Sequence, residues 1–202
     1  MTVVMTKVIS NRGRPRQELR DGIYAAAIQR FRARGYAAAT VDEIVAAAGV
    51  AKGTFFNFFP TKAHVLKAYY AEIDVEIAGL RRNLDPDDPQ GSLKRYGRAV
   101  ERILRREGGL MLDLLDATIS DPMMKAIDDD SGGVDAEEFT EFFRNAVQNG
   151  RVRKGVSSSS AAASLMDLWT GAVRAWMRDT EKQSLAKLFE IRVVMLFEGI
   201  GT

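Results

Sequence analysis

One segment, Thr40–Lys62, constrains the fold most; its sequence is TVDEIVAAAGVAKGTFFNFFPTK. Thr40 and Glu43 have the spacing of a capping box, in which each side chain binds the other residue's backbone N–H at the start of a helix. Gly49 supplies a residue that tolerates positive φ, and Pro60 ends a second helix because proline lacks an N–H. The segment therefore predicts two short helices separated by a tight turn and followed at once by a third.

The second of these helices, predicted from about Ala51 to Phe59, has two different faces. Phe55 and Phe59 are four residues apart, so they fall on one face and anchor the helix to its own domain. The first turn carries small or polar residues, which can approach a DNA backbone and base edges in a major groove. Thr61 is predicted to cap the next helix. Lys62 lies beside that helix's positive end, where a phosphate would meet free N–H groups and an ammonium together.

This segment closely resembles the DNA-binding segment of the tetracycline-repressor (TetR) family of bacterial transcription regulators. The resemblance extends back to Ala25 and forward to Leu66, and it rests on Thr40, Ile44, Ala48-Gly49-Val50, Lys52-Gly53-Thr54, Phe56, Phe59-Pro60 and Lys62. Phe56 stands where a tyrosine is usual in the family, and Phe58 stands where histidine is common. Both changes remove a polar group that would contact phosphate or a base, and neither affects the expected fold.

The candidate DNA-binding residues lie in this segment and in the basic arm that precedes it. They are Arg14, Thr40, Lys52, Gly53, Thr54, Phe56, Asn57 and Lys62. Lys52 and Asn57 can reach base edges or phosphates, whereas Thr54 and Lys62 are expected to contact the DNA backbone. Arginines of the arm, residues 1–16, can enter a minor groove or follow phosphates. For any single arginine of the arm, a place in an irregular terminus that does not contact DNA is an equally good interpretation.

The distribution of charge supports a polyanion-binding N-terminal part. Residues 1–64 contain ten Lys or Arg and four Asp or Glu, a net charge of +6, whereas the whole chain has +2 and the remainder therefore −4. A basic first third joined to an acidic remainder is typical of a nucleic-acid-binding module attached to something else. A solvated basic surface without a partner would give the same charge. The predicted helix-turn-helix favours the nucleic-acid-binding module over this alternative.

The whole chain is predicted to be all-α. Apolar periodicity predicts a first helix from about Gln17 to Arg34 and a long helix from Thr61 to about Arg82. Further helices are expected around residues 93–104, 110–119, 137–148, 158–178 and 182–200, with a short turn at 123–127 and an acidic loop at 128–133. We divide the chain into a three-helix head, residues 1–62, and a larger helical body, residues 63–202, which would bind an effector and dimerise.

The composition argues against an enzyme and against a membrane protein. The chain has 202 residues, no cysteine and one histidine, His64, which is expected to be an ordinary solvated helix residue. Thiolate metal sites and histidine clusters are therefore ruled out. The sequence also contains no phosphate-binding glycine motif, and neither metal nor cofactor is predicted. No apolar run approaches the ~20 residues of a membrane span. A reducing, cytoplasmic location fits the absence of cysteine.

The resemblance implies a transcription regulator, most naturally a repressor, that binds a palindromic DNA operator as a homodimer and responds to a small apolar or aromatic molecule. In the family the last two helices form the dimer interface, and here Trp169, Gly171, Ala172 and Trp176 would supply it. Six side chains are candidates for an effector cavity, although plain core is the commoner role of such residues: Met111, Leu115, Phe139, Phe143, Met166 and Trp169. Two alternatives remain, a DNA-binding regulator without a ligand and a helical enzyme.

Overall fold

The computed structural model describes residues 15–120 and 132–201, which form nine α-helices and no β-sheet. The helices are α1 (Arg16–Arg34), α2 (Val41–Ala48), α3 (Lys52–Phe58), α4 (Lys62–Arg82), α5 (Pro89–Glu107), α6 (Gly109–Ser120), α7 (Gly132–Gln148), α8 (Ser158–Met177) and α9 (Leu185–Ile200). The predicted all-α class is confirmed. Arg14, the predicted short turn at 123–127 and most of the acidic loop lie outside the described residues.

The helix-turn-helix has the predicted local geometry. Glu43 N–H donates to Thr40 Oγ1 at 3.2 Å, and Thr40 N–H donates to Glu43 Oε2 at 3.0 Å, so both halves of the capping box are present. Gly49 ends α2 in the left-handed region with φ 67°. Because a side chain at this φ is strained, glycine permits the sharp turn into α3.

Helix α4 connects the head to the body. Its early apolar residues Val65 and Leu66 are buried with α1 and α3, and its later residues Ile73 and Ile77 are buried with the body helices. The buried core is continuous along this helix, since one cluster of buried side chains runs through the head and the body. The division of the chain at residue 62 therefore stays a prediction.

In the body, α5 packs on α9, α7 packs on α8, and α8 packs on α9. Two tryptophans predicted at the dimer interface pack against residues of their own chain, Trp176 fully and Trp169 in part. Trp176 is 2% exposed. The Trp169 ring lies 4.9 Å from Phe189 and 5.9 Å from Tyr96. Trp176 is thus too deeply buried to meet a partner. The sequence did not reveal this because α8 is apolar on more than one face, so its periodicity does not show which face is outward. The interface role of Trp169 stays a prediction.

The start of α7 also differs from the prediction. The helix begins at Gly132, ahead of the predicted start at Glu137, so part of the expected acidic loop is helical. None of the helices in the described ranges is both long and apolar enough to cross a membrane. The same ranges contain no cluster of His, Asp and Glu side chains arranged to hold a metal ion.

Candidate DNA-binding surface and effector cavity

Helix α3 is held to the head by its two predicted anchors. Phe55 is fully buried and Phe59 is 2% exposed, and their rings lie 6.0 Å apart. The helix has only seven residues and no side-chain cap at either end. Helices this short are marginal in isolation. The aromatic anchors, rather than local propensity, therefore fix the orientation of α3.

The opposite face of α3 is open to solvent. Lys52, Gly53, Phe56 and Asn57 are exposed, and Thr54 is half-buried. A Cβ atom added at Gly53 would meet no other atom within 4 Å. The fold therefore does not need glycine at this position. The missing side chain leaves space on the outer surface of α3, where a bound molecule such as DNA can approach the backbone. Among the predicted DNA-binding residues, these five lie together on one short helix.

Two predicted DNA-binding residues already have partners within the head. Lys52 Nζ lies 2.8 Å from Asp42 Oδ1, but both side chains are more than half exposed, so the pair is weak and the lysine can leave it. Thr40 is exposed, and its hydroxyl takes part in the capping box. Its demonstrable role is to begin α2.

Lys62 points into the head rather than outward. Its Nζ donates to the carbonyl oxygens of Tyr36, Ala37 and Ala39 at 2.8, 3.0 and 3.1 Å. The ammonium also lies 4.6 Å from the centre of the Tyr36 ring, in a cation–π contact. Because an ammonium has three N–H donors, the three carbonyls use all of them. This geometry favours an internal role for Lys62 over the predicted phosphate contact.

Thr61 lies at the predicted N-cap position of α4 but does not cap by its side chain. Its hydroxyl forms a 3.0 Å hydrogen bond with His64 Nδ1 instead of accepting from a backbone N–H of the first turn. The prediction of a side-chain cap is therefore wrong, and the competing ring nitrogen is the physical reason. His64 is half-buried and not simply solvated.

Two arginines lie beside the C-terminal end of α3: Arg16, the last residue of the predicted basic arm, and Arg20, which was not among the candidates. The guanidinium of Arg16 lies 5.6 Å from the centre of the Phe58 ring, and that of Arg20 lies 5.2 Å from the centre of the Phe59 ring. Their spacing of four residues at the start of α1 was a visible signal, because it places both on one helix face. They add positive charge beside the exposed face of α3.

The body contains a cavity of about 640 Å³ between α4, α5, α6, α7, α8 and α9. Five of the six predicted effector residues line it: Met111, Leu115, Phe139, Met166 and Trp169. The sixth, Phe143, does not. Its ring packs 5.2 Å from Phe142 and 6.3 Å from Phe197, so it belongs to the core. The volume is in the range of small-molecule sites, and the wall is mostly apolar.

The polar side chains in the cavity lining include Arg81, Tyr96, Asp135, Asp167, Thr170 and Arg174. Arg81 is 5% exposed and lies 2.6 Å from Asp135, 2.7 Å from Glu138 and 3.4 Å from Asp74. Burial alone would lower the pKa of Arg81, but the carboxylates outweigh it, raise the pKa and keep the guanidinium charged. Burial raises the pKa of Tyr96 to about 12, so its hydroxyl stays protonated at neutral pH. A largely apolar molecule that carries polar atoms matches this lining.

Comparison with known proteins agrees with this architecture. Residues 23–69, which span most of α1, all of α2 and α3, and the start of α4, match the family model of bacterial regulatory proteins of the tetR family. This N-terminal segment is therefore similar to the DNA-binding part of tetR-family regulators. Over 190 residues, the chain is also 22% identical to the HTH-type transcriptional repressor DhaR of Mycobacterium sp. (strain GP1), covering 87% of this chain and 91% of DhaR.

Solved structures extend the similarity over the body of this chain. Thermus thermophilus FadR, a repressor in complex with lauroyl-CoA, has a TM-score of 0.69 at 26% identity, over 89% of this chain and 94% of FadR. SmeT, the repressor of the Stenotrophomonas maltophilia efflux pump SmeDEF, has a TM-score of 0.70 at 22% identity, over 91% and 90%. A SmeT–triclosan complex has a TM-score of 0.68 at the same identity, over 92% and 93%. The SmeT similarity concerns the fold alone.

Proposed function

We propose that this protein is a TetR-family repressor that binds a palindromic operator as a homodimer in the cytoplasm and releases it when a small molecule occupies the body cavity. The observation that carries the proposal is the pairing of an exposed α3 face with an interior cavity in one chain. Helix α4 joins the two, because its first turn packs in the head while Tyr70, Ile77 and Arg81 line the cavity.

The DNA-binding part of the proposal rests on α3 and its surroundings. Lys52 and Asn57 are the candidates for base contacts in the major groove, and Gly53 and Phe56 allow close approach to the DNA backbone. Arg16 and Arg20, together with Arg14 of the arm, supply the positive charge that attracts phosphates. Lys62 acts indirectly by holding the loop between α1 and α2.

The dimer rests on an apolar face of α9. Ile191 is 58% exposed and Met195 is 65% exposed, and they are four residues apart on one side of the helix. Exposed apolar side chains that line one helix face are typical of a protein interface. A second copy of the chain fits best, because one head reads only half of a palindromic site. Gly171 of α8 is half-buried, and a Cβ atom there would lie 3.8 Å from Arg192 Nε of α9, so this glycine belongs to the contact between the last two helices of its own chain.

The proposed effector is a small, largely apolar or aromatic molecule that carries polar atoms. The cavity wall supplies the apolar surface, and Tyr96 supplies a hydroxyl among its polar side chains. FadR binds lauroyl-CoA and SmeT binds triclosan, both of which combine an apolar part with polar atoms. An effector that tilts α4 would change the separation of the two heads. Half-sites on one DNA face lie ~34–36 Å apart, so a dimer held at another spacing cannot seat both recognition helices.

Two experiments test the proposal. Selection of duplexes from a randomised DNA pool by the full-length protein should recover an inverted repeat, and footprinting should show two protected half-sites. Recovery of unrelated sequences would overturn the operator. A thermal-shift screen with small apolar compounds, including triclosan and medium-chain acyl derivatives, should then identify a stabiliser that weakens operator binding. A regulator without a ligand would show DNA binding and no such compound.

A further inference from the structure

Helix α6 has two sides with different neighbours. Met111, Leu114 and Leu115 line the cavity in the body. Asp113 lies between them in sequence, and at about 100° per residue it falls on the opposite side of the helix. Any molecule that displaces the cavity side of α6 therefore also displaces Asp113.

The Asp113 carboxylate reaches out of the body to the loop between α1 and α2. Its Oδ2 accepts a hydrogen bond from the backbone N–H of Tyr36 at 2.7 Å, across 77 positions of sequence. Gly35 has φ 80°, and a Cβ atom there would lie 3.4 Å from the same oxygen. The Asp113 carboxylate is thus packed against the backbone at Gly35 and Tyr36, and it links this loop to α6 of the body.

Tyr36 receives three different restraints at one position. Its N–H is held by Asp113 of α6, and its carbonyl oxygen accepts from Lys62 of α4. Its buried ring packs edge-on against Phe31 of α1, with the ring centres 5.3 Å apart. Four residues later, Thr40 begins the capping box of α2. The position of Tyr36 therefore determines where the helix-turn-helix starts.

We infer that Asp113 is the positioning residue through which occupancy of the cavity reaches the DNA-binding head. This inference rests on the proposed function, since it names the contact that would carry the ligand response. Another contact joins head and body, the Arg32–Glu107 ion pair at 3.5 Å, but it connects α1 to α5. Helices α5 and α6 both line the cavity, but the ion pair ends on α1, whereas Asp113 binds the loop that leads into α2.

A double-mutant cycle tests the inference without an identified effector. Val100→Phe and Met166→Trp place extra apolar volume in the cavity from α5 and α8, so either can stand in for a ligand. Each is combined with Asp113→Ala, which removes the hydrogen-bond acceptor, and with Asp113→Asn, which keeps an acceptor oxygen. Glu181→Ala removes an exposed carboxylate and is the matched control. Circular dichroism melting first selects the variants that remain folded.

The measured quantity is the affinity for the selected operator, by fluorescence anisotropy. In the wild-type and Glu181→Ala backgrounds, a filled cavity is expected to change the affinity by ~5–150-fold, the usual range of allosteric coupling. In the Asp113→Ala background, the same cavity-filling substitution is expected to change operator affinity by less than about twofold. A change of this size is the usual deviation from additivity between independent sites. Asp113→Asn should restore most of the effect, because the Tyr36 N–H regains its acceptor.

Three other results have distinct meanings. Equal effects of the fillers in the wild-type and Asp113→Ala backgrounds would overturn the role of Asp113 and leave the ligand response standing. Fillers that change nothing in the wild type would overturn the ligand response itself, and the role of Asp113 with it. Amide hydrogen exchange gives an independent check, because the Tyr36 N–H should exchange faster in Asp113→Ala and at nearly the wild-type rate in Asp113→Asn. Unchanged exchange in Asp113→Ala would contradict the inference.

Discussion

The ammonium of Lys62 lies 4.6 Å from the centre of the Tyr36 ring and 2.8 Å from the carbonyl oxygen of the same residue. The contacts between Lys62 and Tyr36 thus connect the start of α4 to the loop that follows α1. The arrangement changes what a substitution at residue 62 is expected to do, because the lysine contributes to the fold of the head before any DNA is present.

Lys62→Ala should lower the free energy of unfolding by ~1–3 kcal/mol, since charge-assisted hydrogen bonds to three carbonyls are lost. Urea denaturation measures this loss. The salt dependence of binding to operator DNA should keep its slope. Unchanged stability, combined with a slope reduced by about one unit, would instead restore the phosphate contact expected from the sequence.

Lys52→Ala should leave stability unchanged, because the Lys52–Asp42 ion pair is exposed and such pairs contribute ~0–1 kcal/mol. It should reduce discrimination between operator variants by ~1–3 kcal/mol at one base pair. Competition binding with single-base operator variants measures the change. Asp42→Ala is the control, since it frees the lysine and should preserve or increase affinity. Equal weakening on every sequence would mean that Lys52 contacts phosphate only.

Gly53→Ala separates folding from DNA binding. The added methyl group meets no protein atom, and alanine favours a helix over glycine by up to ~1 kcal/mol, so the protein should be at least as stable as the wild type. Operator affinity should nevertheless fall by about tenfold, or ~1.4 kcal/mol, because the methyl group occupies space next to the DNA. Gly22→Ala in α1, also in open space, should leave affinity unchanged. Full affinity in Gly53→Ala would exclude close approach at this point.

Ile191→Asp and Met195→Asp should convert a homodimer into a folded monomer. Both side chains are exposed within one chain, so the monomer tolerates the charge, whereas an interface would bury it without a partner. Sedimentation equilibrium at micromolar concentration gives the mass. Val75→Asp is the matched control, since Val75 is 70% exposed and belongs to a different helix, α4. A wild-type protein that sediments as a monomer would remove the dimer from the proposal.

Glu101 gives a pH-dependent contribution to stability. Burial by itself would raise its pKa, but hydrogen bonds from Ala186 N–H, Ser184 Oγ and Arg105 outweigh it and hold the pKa below its usual value. A lowered pKa stabilises the fold above the unfolded value of ~4.3 and stops doing so as the pH falls through the folded value.

Glu101→Gln should therefore lower the free energy of unfolding by ~1–3 kcal/mol at pH 7, and the difference from the wild type should shrink below about pH 4. Urea denaturation across this range measures it. Glu181→Gln, at an exposed position, should show little difference at any pH. A difference for Glu101→Gln that stays constant with pH would contradict the assignment to the ionised carboxylate.

The sequence predicted the local structure of the head because its determinants lie within a few residues of one another. The capping box joins Thr40 to Glu43, and the anchors Phe55 and Phe59 are one turn apart. Lys62 and Asp113 were not predictable in this way. Their partners lie in the irregular loop at residues 36–39, and Asp113 reaches it across 77 positions. Periodicity carries no information about which loop a distant side chain will meet.

The cavity was predicted better than the dimer interface for a related reason. Five of six candidate residues line it, because apolar side chains of several helices must converge in the body. Trp169 was assigned to both places, and only packing against Phe189 and Tyr96 shows that it lines the cavity. Ile191 and Met195 are no more apolar than their buried neighbours, so composition did not mark them as exposed.

The two faces of α3 have separate roles, one in attachment to the head and one in the proposed DNA contact, and they share no side chain. Phe55 and Phe59 hold it in place, while Lys52, Gly53, Phe56 and Asn57 contribute little to that attachment. Mutations on the outer face can therefore accumulate without loss of folding. Related regulators that inherit this head can diverge to recognise new DNA sequences one residue at a time, while the inner aromatic face remains under a constraint of its own.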